Sequence, residues 1–173
     1  LGFSVSEGQP LPTLNLSRVY ALTGPNTCSA SEAVINGLRG IGVEVIQIGS
    51  RTCGKPYGFY PEDNCGTTYF TIQFRGVNEV DYGDYSDGFW PSATDNGRDA
   101  ILGCQVADDF SRQLGDPTEN MLEVALSFRN GEGCVTPAST VASEFLESVP
   151  ALRSRYPALH RSPFDSNRIM DRR

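Results

Sequence analysis

A serine at position 29 and a lysine at position 55 are the two side chains of this chain whose types and settings could together do chemistry. Lys55 is the only lysine, while thirteen arginines carry every other fixed positive charge. Arginine cannot give up its proton in a protein, but a lysine held in an apolar pocket can be shifted to act as a base near neutral pH. A serine hydroxyl is weakly nucleophilic until something takes its proton, so an amine within reach would activate it. Each residue also has a plainer use: Ser29 as a helix cap, Lys55 as a solvated side chain in the glycine turn Gly54-Lys55-Pro56.

The surrounding elements decide whether the two can meet. A short apolar strand, Val19 to Leu22, runs into the breaker Gly24-Pro25. A helix follows, with Ser29 and Ser31 at or just before its N-terminus and Ala33, Val34 and Leu38 predicted on one apolar face. The run Val43, Val45, Ile46, Ile48 reads as a second, buried strand. Two such strands joined by a helix form a parallel βαβ unit with a right-handed crossover. Ser29 and Lys55 then fall at the carboxyl ends of neighbouring parallel strands, where open α/β sheets place their ligands. The unpaired N–H groups at the helix start would offer donors to an anionic oxygen beside Ser29.

The segments Cys28-Ser29-Ala30-Ser31-Glu32, Asn36-Gly37-Leu38 and Ile48-Gly49-Ser50-Arg51-Thr52-Cys53-Gly54-Lys55 resemble the Ser-Lys core of the C-terminal processing (tail-specific) serine peptidases. The resemblance implies a crotonase/ClpP-like βαβ core, with Ser29 as nucleophile, Lys55 as general base and the N–H of Ala30 as an oxyanion donor. It implies a polypeptide substrate, no cofactor and no nucleotide. Four positions depart from the family pattern. Lys55 follows Ser29 by 26 residues, about one more than expected, and Gly40-Ile41-Gly42 could hold the extra one. Phe59 stands where a glutamine commonly orients the lysine, and Cys53 replaces the usual aromatic before Gly-Lys. Nothing before Val19 resembles the family's glycine-rich oxyanion segment. A piece of a longer protein, with upstream domains outside it, is therefore expected. A catalytically silent, peptide-binding or structural member of the same fold is the alternative.

Other chemistries fit less well. Residues Gly49 to Lys55 match the first seven positions of a phosphate-binding P-loop, but Pro56 stands where Ser or Thr must hold magnesium. The only histidine, His160, lies in the segment from Val149, which has three prolines and no sustained helix or strand period. A Cys28 nucleophile would lack a placed histidine to activate it. That segment carries six arginines against two aspartates, net +4, leaving −11 of the chain's −7 on the remainder. An acidic body argues against nucleic acid as a partner.

Residues 1–148 are thus expected to be a partial peptidase catalytic domain and 149–173 an arginine-rich, poorly ordered tail. The alternation of Thr67, Tyr69, Thr71, Gln73 with Thr68, Phe70, Ile72, Phe74 predicts a half-buried strand in an antiparallel region. Asp81 to Pro91 reads as an aromatic and acidic loop, either covering a core edge or forming a substrate-facing lip. Helices are predicted over Val106 to Leu114 and Pro117 to Phe128, the second with Asp116 as cap, Glu119 as capping-box partner and Gly131 as stop. The five cysteines contain no close CxxC pair. Their connectivity does not follow from the sequence; of the possible pairings, Cys53 with Cys65 and Cys104 with Cys134 is the one expected, leaving Cys28 free. Disulfides imply an oxidising compartment, which for a bacterial enzyme is the periplasm or exterior. Anchoring to a membrane would then fall to an N-terminal part beyond this chain.

Overall fold

The computed structural model describes residues 12–137 together with Ser6 and Gln9. The chain divides into two units, Leu1–Val135 and Thr136–Arg173. The expected tail at 149–173, with His160, lies outside the described residues.

Four parallel strands form the central sheet in the order β1-β2-β8-β7: β1 is Arg18–Thr23, β2 Glu44–Gly49, β7 Trp90–Ser92 and β8 Ala100–Gln105. The β1–α1–β2 unit, with α1 at Ala30–Gly40, matches the sequence expectation. Its register pairs Thr23 with Gly49, so both strands end together. β2 is buried at every position after Glu44, as a strand covered on both faces must be.

The two faces carry separate cores. Ile46, Ile48, Cys104, Val106, Val124 and Ala125 pack on the side of α2, which is Asn120–Arg129. Ile35, Val45, Tyr85, Phe89 and Ile101 pack on the side of α1 and the 81–89 loop. Val45 and Ile46 fall on opposite faces, as the period of two along a strand requires. The result is a three-layer α/β arrangement around a parallel sheet.

Several expected elements differ. In α1 the buried residues are Glu32, Ile35 and Asn36, whereas Val34 is 62% exposed. Polar Glu32 and Asn36 take inward positions because partners wait there, and the apolar stripe alone misplaces the buried face. Residues 67–74 do not make one half-buried strand. β4 (Glu62–Asn64) and β5 (Thr67–Tyr69) form an exposed antiparallel hairpin, and β3 (Tyr57–Gly58) pairs antiparallel with β6 (Phe74–Arg75). Their aromatic rings pack on one another, Phe59 on Phe70 at 5.4 Å and Tyr60 on Phe74 at 5.3 Å between centroids. No helix forms over 106–114, where Val106 instead donates its N–H to Gly49 and prolongs the β8 pairing.

The second helix begins later than expected. Glu119 is itself the N-cap and accepts from the N–H groups of Met121 and Leu122. Asp116 closes the preceding turn by accepting from Thr118 N–H and Oγ1 at 2.9 and 2.7 Å, and these bonds hold its carboxyl below the usual range. Asn130 caps the other end, and Gly131 follows with φ 88°. No described helix is long and apolar enough to cross a membrane.

Candidate active site

Ser29 sits at the junction of the β1 turn and α1, with φ 55° and ψ −110°. An N-cap residue ordinarily takes an extended conformation, and a non-glycine residue at positive φ is held there by its surroundings at a cost of about 1–3 kcal/mol. In α/β-hydrolases a strained strand-to-helix turn of this kind carries the serine nucleophile. Ser29 is exposed. Ala30 opens the helix, so its N–H lies ahead of the helix's own hydrogen bonds.

Lys55 lies in the turn that follows β2. It is exposed, as are Cys53 and Phe59. The apolar pocket expected around its amine is thus not formed by the described residues. What the structure does is bind the two turns together. Glu32, fully buried, reaches across with both carboxylate oxygens. Its Oε2 accepts from Ser29 N–H at 2.9 Å and from Lys55 N–H at 2.8 Å, so those two nitrogens are no further apart than the sum of these lengths. Its Oε1 accepts from Gly54 N–H at 2.7 Å and Thr52 Oγ1 at 2.6 Å. Four hydrogen bonds to one buried carboxylate are what make such burial tolerable. The helix N-terminus beside it favours the negative charge as well.

A second tie is covalent. Cys28 and Cys53 form a disulfide with Cα atoms 5.3 Å apart, and Cys53 N–H donates to Thr27 carbonyl at 3.0 Å. This corrects two expectations: Cys53 does not pair with Cys65, and Cys28 is not free. Cys65 is exposed and unpaired at the hairpin between β4 and β5. With φ 50°, followed by Gly66 at 80°, it takes the left-handed pair of positions that a two-residue hairpin turn demands, and local turn geometry fixes it there. The disulfide also removes Cys28 as a nucleophile. The Cys104–Cys134 pairing is as expected.

The 81–89 loop proves to be the covering element. Tyr85 and Phe89 are buried and stacked at 4.7 Å. Thr52 N–H donates to Phe89 carbonyl, and Phe89 N–H to Thr52 Oγ1. Burial, and then the negative charge of Glu32, holds the Tyr85 phenol above its ordinary pKa. Arg51 stacks over Trp90 at 4.3 Å. Loop and lysine turn approach so closely that a Cβ on Gly54, whose φ is +78°, would stand 2.0 Å from Ser86 carbonyl oxygen. Gly54→Ala is therefore expected to lower unfolding free energy by at least about 2 kcal/mol, since it combines backbone strain with overpacking. Urea unfolding with an unchanged m-value checks this; a loss under about 0.5 kcal/mol would contradict the close approach.

The P-loop resemblance of residues 49–55 meets a direct obstacle. The amides of Gly54 and Lys55, which would cradle phosphate, already hold the Glu32 carboxylate, and a phosphate there would face its negative charge at hydrogen-bond range. β3 rather than a helix follows the loop. Phe59 pairs edge to face with Phe70. The roles of Glu32 and of Cys28–Cys53 were not drawn from the sequence. The first had a signal, a Ser-x-x-Glu spacing that marks a capping box.

No protein-family model matches the chain, and no curated protein matches it. Among solved structures, one from Bacteroides fragilis NCTC 9343, provisionally assigned as an S41 protease, is 26% identical with a TM-score of 0.53. The match covers 68% of this chain and 29% of that one, so the chain spans less than a third of the similar protein. S41 is the family of the C-terminal processing peptidases. The four-stranded parallel sheet with its small antiparallel sheets is thus an α/β fold similar to that of an S41 protease.

Proposed function

We propose that the chain is the part of a serine endopeptidase that carries its catalytic pair, on a crotonase/ClpP-like core. Ser29 Oγ attacks the carbonyl carbon of a polypeptide while Lys55 Nζ, unprotonated, takes the hydroxyl proton. The oxyanion of the tetrahedral intermediate is received by Ala30 N–H. Collapse breaks the C–N bond, Lys55 returns the proton to the leaving amine, and water then hydrolyses the acyl group on Ser29 with the same amine as base.

The observation that carries this reading is Ser29 at positive φ on a strand-to-helix junction, coupled through Glu32 to the Lys55 turn on the neighbouring strand. The likeness to a structure provisionally assigned as an S41 protease supports it. The two disulfides point to an oxidising, non-cytoplasmic compartment, which supports the proposal of a periplasmic or extracellular site of action. Residues 1–148 would belong to the catalytic domain and 149–173 to an arginine-rich tail. Exposure of Lys55 favours a second reading, a member of the fold that binds polypeptides without cleaving them. Cleavage of an unstructured protein by the longest native form, beside Ser29→Ala and Lys55→Arg, separates the two. Loss in both variants supports the peptidase; activity surviving Ser29→Ala removes it.

A further inference from the structure

We infer that the Cys28–Cys53 disulfide positions the Ser29–Lys55 pair and that its reduction by a dithiol reversibly switches the site off, an inference that rests on the proposed peptidase reading. The bond joins the residue immediately before Ser29 to the residue two before Lys55. Ser29 needs such support, because its φ of 55° is a conformation that serine leaves unless its neighbours hold it. Glu32 holds the N–H side of Ser29. The disulfide holds the residue through which the β1 turn enters it. On the lysine side, Phe59 is engaged with Phe70 rather than with Lys55, and the backbone of the Lys55 turn is fixed by Glu32, by Thr27 carbonyl and by this bond.

The bond joins residues that reach the surface: Cys53 is exposed and Cys28 half-buried, and exchange begins by attack of a thiolate on one sulfur. One thiolate of the dithiol attacks Cys53 Sγ and the S–S bond breaks, with Cys28 leaving as a thiolate that takes a proton. The second thiolate then attacks the mixed disulfide, releasing Cys53, which is protonated in turn. Two electrons and two protons pass to the protein, and the dithiol becomes a disulfide. The turns stay linked through Glu32, so the reduced site is loosened rather than unfolded.

The test compares the longest native form before and after treatment with dithiothreitol, with alkylation and peptide mapping to show that Cys28 and Cys53 are reduced. kcat is expected to fall at least tenfold with KM within about threefold, and to return on reoxidation, because loosened positioning acts on the transition state more than on ground-state binding. The Cys28→Ala/Cys53→Ala variant should start at the reduced level and lose nothing further with dithiothreitol; a further large loss would assign the effect to Cys104–Cys134 and overturn the inference. Cys65→Ser should leave activity and its thiol sensitivity unchanged; loss of that sensitivity would overturn the assignment to Cys28–Cys53. Full kcat with Cys28 and Cys53 mapped as reduced would overturn the positioning role and leave the peptidase intact. If oxidised and reduced forms both cleave nothing, the peptidase reading fails separately, and amide exchange decides the positioning. Faster exchange at Ser29, Gly54 and Lys55 on reduction, with α2 unchanged, would sustain it, and unchanged exchange at those amides would overturn it.

Discussion

Ser29→Ala is expected to reduce kcat/KM for an unstructured polypeptide by at least about ten-thousandfold, because it removes the atom proposed to form the acyl-enzyme. Binding of the uncleaved polypeptide should change by less than about threefold, since one exposed hydroxyl contributes little ground-state affinity. Lys55→Arg should lose nearly as much: arginine keeps the charge and most of the reach but cannot surrender a proton. Combining the two should cost no more than the worse single change, as expected for groups that act as one unit. Cleavage by Ser29→Ala within tenfold of the parent would remove the mechanism. Strong binding with no cleavage by the parent would select the silent, polypeptide-binding reading.

Replacing Glu32 with glutamine should produce the largest loss of stability of any single isosteric change near the site. The carboxylate accepts from four donors, two on each oxygen. A glutamine amide turns one acceptor into a donor, setting its N–H against the Ser29 and Lys55 N–H groups in one orientation and against Gly54 N–H in the other, where the Thr52 hydroxyl can turn to accept. One or two donors then lose their partner, each at about 1–3 kcal/mol. A total near 3 kcal/mol corresponds to a fall of roughly 6–12 °C in Tm for a chain of this size. Activity should fall with it even at temperatures where the variant remains folded, because either orientation of the amide takes an acceptor from the Lys55 turn, from Lys55 N–H or from Gly54 N–H. Calorimetry beside a cleavage assay checks both; a Tm shift under 2 °C would mean that this carboxylate does not join the turns.

Much of the fold that brings these residues together was written in local pattern. The apolar runs at 19–22 and 43–48 and the helix between them are recoverable from side-chain period and from the Gly24-Pro25 break. Their parallel pairing follows from the helical connection. Ser29 and Lys55 were legible as a pair because both follow strand ends. The second helix was legible in its presence and its end but not in its start or its cap. Asp116 and Glu119 both lie ahead of the apolar run, and which of them caps depends on where the chain leaves the sheet. The aromatic alternation at 67–74 was misleading, because period two gives a strand without saying whether any layer exists to cover it.

By itself the sequence determined the βαβ unit and the place of Ser29 and Lys55 at its strand ends. Only the tertiary structure decided which cysteine meets Cys53, which helix face is buried, and what holds the two turns in contact. The reason is one of range. Strand period and turn chemistry act over a few neighbours, so residue types report them directly. The Cys28–Cys53 bond, the Glu32 hydrogen bonds to the Lys55 turn and the 81–89 loop packed on Gly54 join residues twenty or more positions apart. Such contacts depend on the register of β1 against β2 and on the path of a long loop, which many local patterns could equally have accompanied.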